Sequence, residues 1–145
     1  MRTKDYLRQY KEAYQKMRRI EDTIEMIEAS LQRSPDLDGM PRSTRITDPT
    51  RDTAIKLADL HERLTRERSE CELMAQRIAD EIERVDRTEY RDLLFARYIM
   101  LLPWEDVTDR LSVDRVKRYD SKHVAGYMHS EALKAFRKVM GWNSL

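Results

Sequence analysis

The chain has 145 residues, of which 38% are charged and 40% hydrophobic, with 3 glycines and 4 prolines. This composition excludes a β-rich fold, which needs more turn residues, and a disordered chain, which lacks such an apolar share. The net charge is +1, but residues 112–139 carry 7 Lys and Arg against 3 Asp and Glu, together with His123 and His129. Such a local positive excess is typical of a phosphate-binding surface, and a solvated face without a partner is the alternative.

The sequence does not have the pattern of a membrane or secreted protein. No apolar run approaches the ~20 residues that a membrane span needs. The first residues, MRTKDYLRQYKEAY, lack the apolar core of a signal peptide. The single cysteine, Cys71, cannot form an internal disulfide and is expected to be a small core residue. We therefore expect a cytoplasmic protein that does not contact a membrane.

An apolar repeat predicts the first helix at residues 3–32. After the first step its spacing alternates between three and four residues, which is typical of a helix that packs along a coiled-coil seam. Residues 33–48 contain Pro35, Gly39 and Pro41 and are predicted to form a loop. The seam residues of the first helix are Tyr6, Tyr10, Ala13, Met17, Ile20, Ile24, Ile27 and Leu31.

A second repeat predicts a helix at residues 49–85, with Asp48 as its N-cap and Pro49 in its first position. Two such helices joined by a loop most simply fold back as a long antiparallel, coiled-coil-like hairpin, so we expect residues 1–87 to form a helical arm. Pairing between two chains is the alternative. The second seam consists of Leu57, Leu60, Leu64, Glu67, Cys71, Met74, Ile78, Glu81 or Ile82, and Val85.

From residue 88 the pattern changes to three short helices, TEYRDLLFARYIMLL, PWEDVTDRLS and SKHVAGYMHSEALKAFRKVM. In the second, Trp104, Val107 and Leu111 lie on one face, so we predict that Trp104 is a buried core residue and not a platform for stacked bases. Residues 88–145 are expected to form a separate C-terminal domain, and the whole chain to be all-α.

The third short helix has two unlike faces. Ser121 is expected to be its N-cap. The predicted inner face is apolar, whereas the outer face is polar, basic and partly aromatic. A short helix with an acidic start, followed by a helix with a basic outer face, is the arrangement of a helix-turn-helix, which inserts its second helix into the major groove of DNA. The predicted inner face consists of Ala125, Met128, Ala132 and Phe136.

Three motifs lie between residues 90 and 140. Arg97-Tyr98-Ile99 ends a predicted helix, Trp104-Glu105-Asp106-Val107-Thr108 begins the next, and His129, Ala132 and Leu133 form a His-x-x-Ala-Leu pattern. Together they resemble the helix-turn-helix of the fourth conserved region of bacterial sigma factors, and more specifically the RinA/ArpU-type phage transcriptional regulators. The resemblance implies a phage or prophage regulator of gene expression inside a bacterial host cell.

The sequence departs from that family at two points. Residues 112–120 separate Leu111 from Ser121, whereas the usual turn has three or four residues. Thr108 stands where the family has a small residue. The insertion either widens the motif, or adds a basic wing from Arg115, Lys117 and Arg118, or removes the DNA-binding geometry of the motif.

The face opposite the predicted core is expected to meet DNA. Gly126 on this face is explained equally well by close approach to DNA and by close packing on another helix, since glycine costs helix stability. The predicted base contacts are Ser121, Lys122, His123, Gly126, Tyr127 and Ser130. The predicted phosphate contacts are Arg115, Lys117, Arg118, Lys134 and Arg137.

The favoured function is sequence-specific binding of double-stranded DNA by a transcriptional regulator. One alternative is a DNA-packaging protein of the small-terminase kind, in which such a motif precedes the oligomerising helices, whereas here it follows them. Another is a helical adaptor that binds only proteins. An enzyme, a cofactor or a metal site is not expected, because the sequence has no Gly-rich phosphate loop and no clustered ligands. Expected partners are DNA, host RNA polymerase and a second copy bound through the arm.

Overall fold

The computed structural model describes residues 2–33, 47–112 and 119–142, and the regular elements in these ranges are all helical. The all-α prediction is therefore confirmed for the described residues. The first part of the chain forms α1 (Thr3–Leu7), α2 (Gln9–Arg33) and α3 (Thr47–Ile82). The second part forms α4 (Thr88–Leu94), a π-helical turn (Phe95–Ile99), α5 (Trp104–Ser112), α6 (Ser121–His123), a second π-helical turn (Val124–Met128) and α7 (His129–Val139).

The two long helices lie where the sequence predicts them, with differences at their ends. Arg8 separates α1 from α2 but keeps right-handed helical angles (φ −75°, ψ −10°). Helix α3 begins at Thr47, so Asp48 lies inside the helix and is not its N-cap. Its end comes at Ile82 and not at Val85, because the Val85 N–H donates to the Ile82 carbonyl in a tighter i→i+3 turn. Of the predicted loop 33–48, Arg33 belongs to α2 and residues 47–48 to α3, and residues 34–46 lie outside the described residues.

The chain divides into two compact units, one of Ala13–Cys71 and one of Met1–Glu12 with Glu72–Leu145. The division falls inside α2 and α3, whereas the sequence predicts a boundary between residues 87 and 88. The physical reason is that Leu7, Ile78 and Ile82, from the predicted arm, are buried in the same core as residues of the predicted C-terminal domain.

In the unit Ala13–Cys71, α2 and α3 pack along the predicted seams. Ile20, Ile24 and Leu64 are buried together. The seam position Glu67 is polar because it pairs across the helices with Lys16, whose Nζ lies 3.0 Å from Oε1 of Glu67. The partly buried residues packed against this cluster are Met17, Leu57 and Leu60.

The cross-helix pairs show that α2 and α3 are antiparallel. Early in α2, Lys16 pairs with Glu67, whereas later in α2, Glu28 Oε1 lies 3.4 Å from Nε2 of the earlier α3 residue His61. The partners therefore run in opposite directions along the two helices, as the hairpin prediction requires. Leu31 is an exception to the predicted seam, since 44% of its surface is exposed in the last turn of α2.

The unit Met1–Glu12 with Glu72–Leu145 is built around α7. Helices α1 and α4 pack against α7, and α5 packs against α4, α6 and the turn Val124–Met128. This arrangement leaves one side of the 121–139 segment in the core. The buried residues of this core are Leu7, Ile78, Ile82, Val85, Leu93, Leu94, Ala96, Tyr98, Val107, Leu111, Val124, Met128, Ala132 and Phe136.

Helix α7 ends in a Schellman motif. Gly141 has the left-handed φ of 70°, its N–H donates to the Lys138 carbonyl, and the Trp142 N–H donates to the Arg137 carbonyl. The Trp142 ring then packs edge-on against Phe136, with centroids 5.9 Å apart. This hydrophobic contact fixes the chain after the helix against the core.

Candidate nucleic-acid interface

The candidate recognition helix comprises α6, the π-helical turn Val124–Met128 and α7, residues 121–139. Asp120 occupies its N-cap position, with extended backbone angles, so Ser121 is the first helical residue and not the cap. Four residues spaced four apart face the core and are at most 5% exposed. They are Val124, Met128, Ala132 and Phe136.

This buried row differs from the predicted inner face at one position. Ala125 is only partly buried, and Val124, which the sequence analysis left out, is fully buried. Residues four apart in an α-helix drift by about 40° around the axis. The wider π turn offsets part of that drift, so a four-residue spacing keeps Val124 in line with Met128.

The opposite side of the candidate recognition helix is exposed to solvent. Tyr127 has the largest exposed apolar surface on it, at 63%. Ser121 is partly buried at the start of the helix. The other predicted base-contacting residues are all exposed, namely Lys122, His123, Gly126, Tyr127 and Ser130.

Gly126 does not serve close packing within the described chain. No atom of another element lies within 4 Å of the position that a Cβ atom would take there. Packing against another described helix therefore does not account for Gly126. Its missing side chain leaves a gap on the exposed face between Lys122 and Ser130.

The predicted phosphate contacts are distributed unevenly. Lys134 is exposed, and its Nζ lies 3.3 Å from Oε1 of Glu131. Arg137 is partly buried. The other three, Arg115, Lys117 and Arg118, lie outside the described residues.

An aromatic ladder, formed by Tyr119, His123 and Tyr127, runs along the exposed face. The His123 ring is stacked between the other two, with centroid distances of 6.4 Å to Tyr119 and 5.4 Å to Tyr127. The Tyr119 N–H donates to Oγ of Ser112, 3.4 Å away, which ties the first ring to α5. The four-residue spacing of the three residues is visible in the sequence, but Tyr119 was not among the predicted interface residues.

His129 is not part of the basic surface, although its position in the basic segment 112–139 suggested it. It is 6% exposed, and Oη of Tyr98 lies 2.6 Å from its Nε2. Burial lowers the pKa of His129 to about 4, and the nearby positive charges, which include Lys4 and Arg97, act in the same direction. The imidazole is therefore neutral at pH 7.

Trp104 packs on the core side, as predicted, but it is only partly buried. Its ring meets His129 edge-on at 4.6 Å, and the Arg97 guanidinium lies 4.5 Å from its centroid. The same Arg97 donates to the Leu102 carbonyl at 2.9 Å and so fixes the connection between the first π turn and α5. The contacts with Arg97 and His129 make Trp104 a structural residue.

Among the described residues, no helix is both long and apolar enough to cross a membrane. Within the same ranges, no three His, Cys, Asp or Glu side chains cluster as metal ligands would. Comparison of the chain with protein-family models, with curated proteins and with solved structures finds no match.

Proposed function

We propose that the protein binds double-stranded DNA, with the candidate recognition helix in the major groove. The observation that carries this proposal is the division of residues 121–139 into two sides. One side is held in the core by Val124, Met128, Ala132 and Phe136. The other side presents polar, basic and aromatic side chains to solvent, which are the chemical groups that contact base edges and phosphates.

The packing of α5 also supports the proposal. Helix α5 lies against α6 and the turn Val124–Met128, in the position of the supporting helix of a helix-turn-helix. Thr108 is buried in α5 and donates to the Trp104 carbonyl at 2.8 Å. Its hydroxyl is thus satisfied within the helix, so Thr108 is compatible with a core position at which the RinA/ArpU-type family has a small residue.

The charge of the exposed face is suited to a polyanion. Residues 121–139 contain four Lys and Arg and one acidic residue, Glu131, which gives +3. Gly126 adds a gap through which a phosphate or a base edge can approach the helix backbone. On this basis, and by its resemblance to the RinA/ArpU-type family, we propose a transcriptional regulator of phage or prophage origin.

Binding to labelled duplexes over a salt series tests this function. The duplexes are a random-sequence pool and sequences selected from it by the protein. We expect Lys134→Ala to weaken binding to both alike and to lower the slope of log affinity against log salt by about one. Lys122→Ala should instead change which sequence is preferred. Lys56→Ala, an exposed lysine of α3 in the other unit, is the matched control and should behave as the parent.

The absence of any salt-dependent affinity for duplex DNA would overturn the proposal and favour a protein-binding adaptor. A parental preference and affinity in both Lys122→Ala and Lys134→Ala would show that the duplex binds elsewhere.

We also propose that the arm mediates self-association, because paired DNA half-sites usually mirror a protein two-fold axis. In the unit Ala13–Cys71, Met26 is 66% exposed and Ile55 53% exposed. Such apolar surface is available to a second copy. Sedimentation at micromolar concentration should show a dimer that Ile55→Lys weakens, and a monomer at all concentrations would exclude it.

A further inference from the structure

The aromatic ladder has a property that duplex recognition does not use. In a duplex the faces of the bases are covered by their neighbours, and a major-groove helix meets only base edges. Its three rings stack on one another with interplanar angles of 5° and 27°, so the ring face left for a ligand is the face of the exposed Tyr127 that is turned away from His123. Ring faces suit a partner whose own π-face is accessible.

The ladder is fixed at one end and open at the other. Tyr119 is partly buried, packs against the core and is tied to Ser112 of α5. His123 covers one side of Tyr127, and yet 63% of the Tyr127 surface is exposed. A ring that is already held in place loses little conformational freedom when a ligand stacks on it.

The charge near the ladder selects the class of ligand. Lys122 is exposed beside His123, and Lys134 is exposed further along the same helix. Glu131 is the one acidic residue among residues 121–139, and it pairs with Lys134. Aromatic rings beside a cationic surface are the combination by which proteins bind single-stranded nucleic acid, with bases on the rings and phosphates near the cations.

We propose that the aromatic ladder binds single-stranded DNA by stacking an unpaired base on Tyr127. This activity does not depend on duplex binding, although the two would use the same helix. Trp104 cannot take this role, because its ring already contacts Arg97 and His129.

The test uses the full chain and a labelled oligo-thymidine strand of about 16 nucleotides, within the site sizes of single-strand binders. Fluorescence anisotropy should show that Tyr127→Leu weakens binding roughly tenfold, since the leucine is apolar but has no π-face. Tyr127→Phe, which keeps the ring, is the matched control and should bind as the parent. Circular dichroism should show parental folding of both variants, because Tyr127 is exposed.

Two comparisons identify stacking as the cause. A strand of the same length with abasic sugars in place of its thymidines should bind the parent and Tyr127→Leu equally weakly. On a random duplex, Tyr127→Leu should lose less affinity than it loses on oligo-thymidine, since stacking requires an unpaired base. The proposal is overturned if Tyr127→Leu binds oligo-thymidine as the parent does, if the abasic strand binds as well as oligo-thymidine, or if strand and duplex binding fall together. Binding to the strand without binding to any duplex would support the ladder and overturn the duplex function instead.

Discussion

The hydroxyl of Tyr98 and Nε2 of His129 lie 2.6 Å apart, with both side chains buried. The imidazole also bonds to the backbone carbonyl of Ala125. A neutral imidazole has one donor and one acceptor nitrogen, so the two partners satisfy it when Nδ1 donates to Ala125 and Nε2 accepts from Tyr98. The pair links the first π turn to α7 and stabilises the neutral form of His129.

The burial of His129 predicts that the stability of the folded chain depends on pH. The pKa of His129 is about 4 in the folded chain, whereas an unperturbed histidine has a pKa of 6.5. Between these values the unfolded chain binds a proton that the folded chain does not, so stability falls as the pH decreases from 6.5 to 4. The contribution of this residue is as much as about 1.4 kcal/mol per pH unit.

Urea unfolding at several pH values measures this contribution. His129→Gln should lose stability less steeply than the parent between pH 6.5 and 4. Identical slopes in the parent and in His129→Gln would contradict the assignment of His129.

Alanine substitutions at the two described glycines should change the free energy of unfolding in opposite directions. Gly141 has a φ of 70°, which is unfavourable for a residue with a Cβ, so Gly141→Ala should lower the free energy of unfolding by about 1–2 kcal/mol. Gly126 lies within a helix with open space around it, so Gly126→Ala should raise that free energy by about 0.5–1 kcal/mol. Denaturant unfolding measures the free energy of unfolding of the two variants. If that free energy changes in the same direction in both variants, the backbone conformation assigned to one of the two glycines is contradicted.

A charge introduced at a buried position tests whether α2 and α3 pack along the seam in the unit Ala13–Cys71. Leu64 is 6% exposed between α2 and α3, so Leu64→Asp should lower the free energy of unfolding by at least about 3 kcal/mol. Leu73→Asp makes the same substitution at an exposed position of α3 and should have little effect. Thermal melts of the helical circular dichroism compare them, and equal melting temperatures would refute the seam.

Replacement of Trp104 is expected to lower the stability of the fold and not to remove DNA binding specifically. Trp104→Ala should lower the free energy of unfolding by about 3 kcal/mol, at the lower end of values for tryptophan because the ring is only partly buried. Trp104→Phe keeps an aromatic ring between Arg97 and His129, so this variant should retain most of the parental free energy of unfolding. A Trp104→Ala variant with parental stability and no affinity for DNA would reverse the assignment.

Helical periodicity was sufficient to predict the two long helices, because burial along a seam imposes a three-four spacing on residues such as Ile20, Ile24 and Leu64. The same logic correctly placed Met128, Ala132 and Phe136 in the core. It failed at Val124, since a π turn adds a residue without a characteristic sequence.

Contacts between distant residues were not predictable in this way. Tyr98 and His129 are 31 positions apart. From the sequence alone, either polar side chain could lie on the surface, and nothing indicates that the two are paired. Their pairing follows from the packing of α4 against α7. No local pattern in the sequence shows, either, that the end of α3 shares a core with α7.

The π turn Val124–Met128 has a consequence for how the chain can change in length. A deletion inside an α-helix rotates all following residues by about 100° and exposes their apolar side. A π turn already contains one residue more than an α turn, so loss of Gly126 would let the helix close in the ordinary way. The buried row would then be spaced three, four and four, which is the spacing of an 11-residue repeat at about 3.67 residues per turn. Homologues that lack one residue here can therefore keep the same core while presenting a different outer surface.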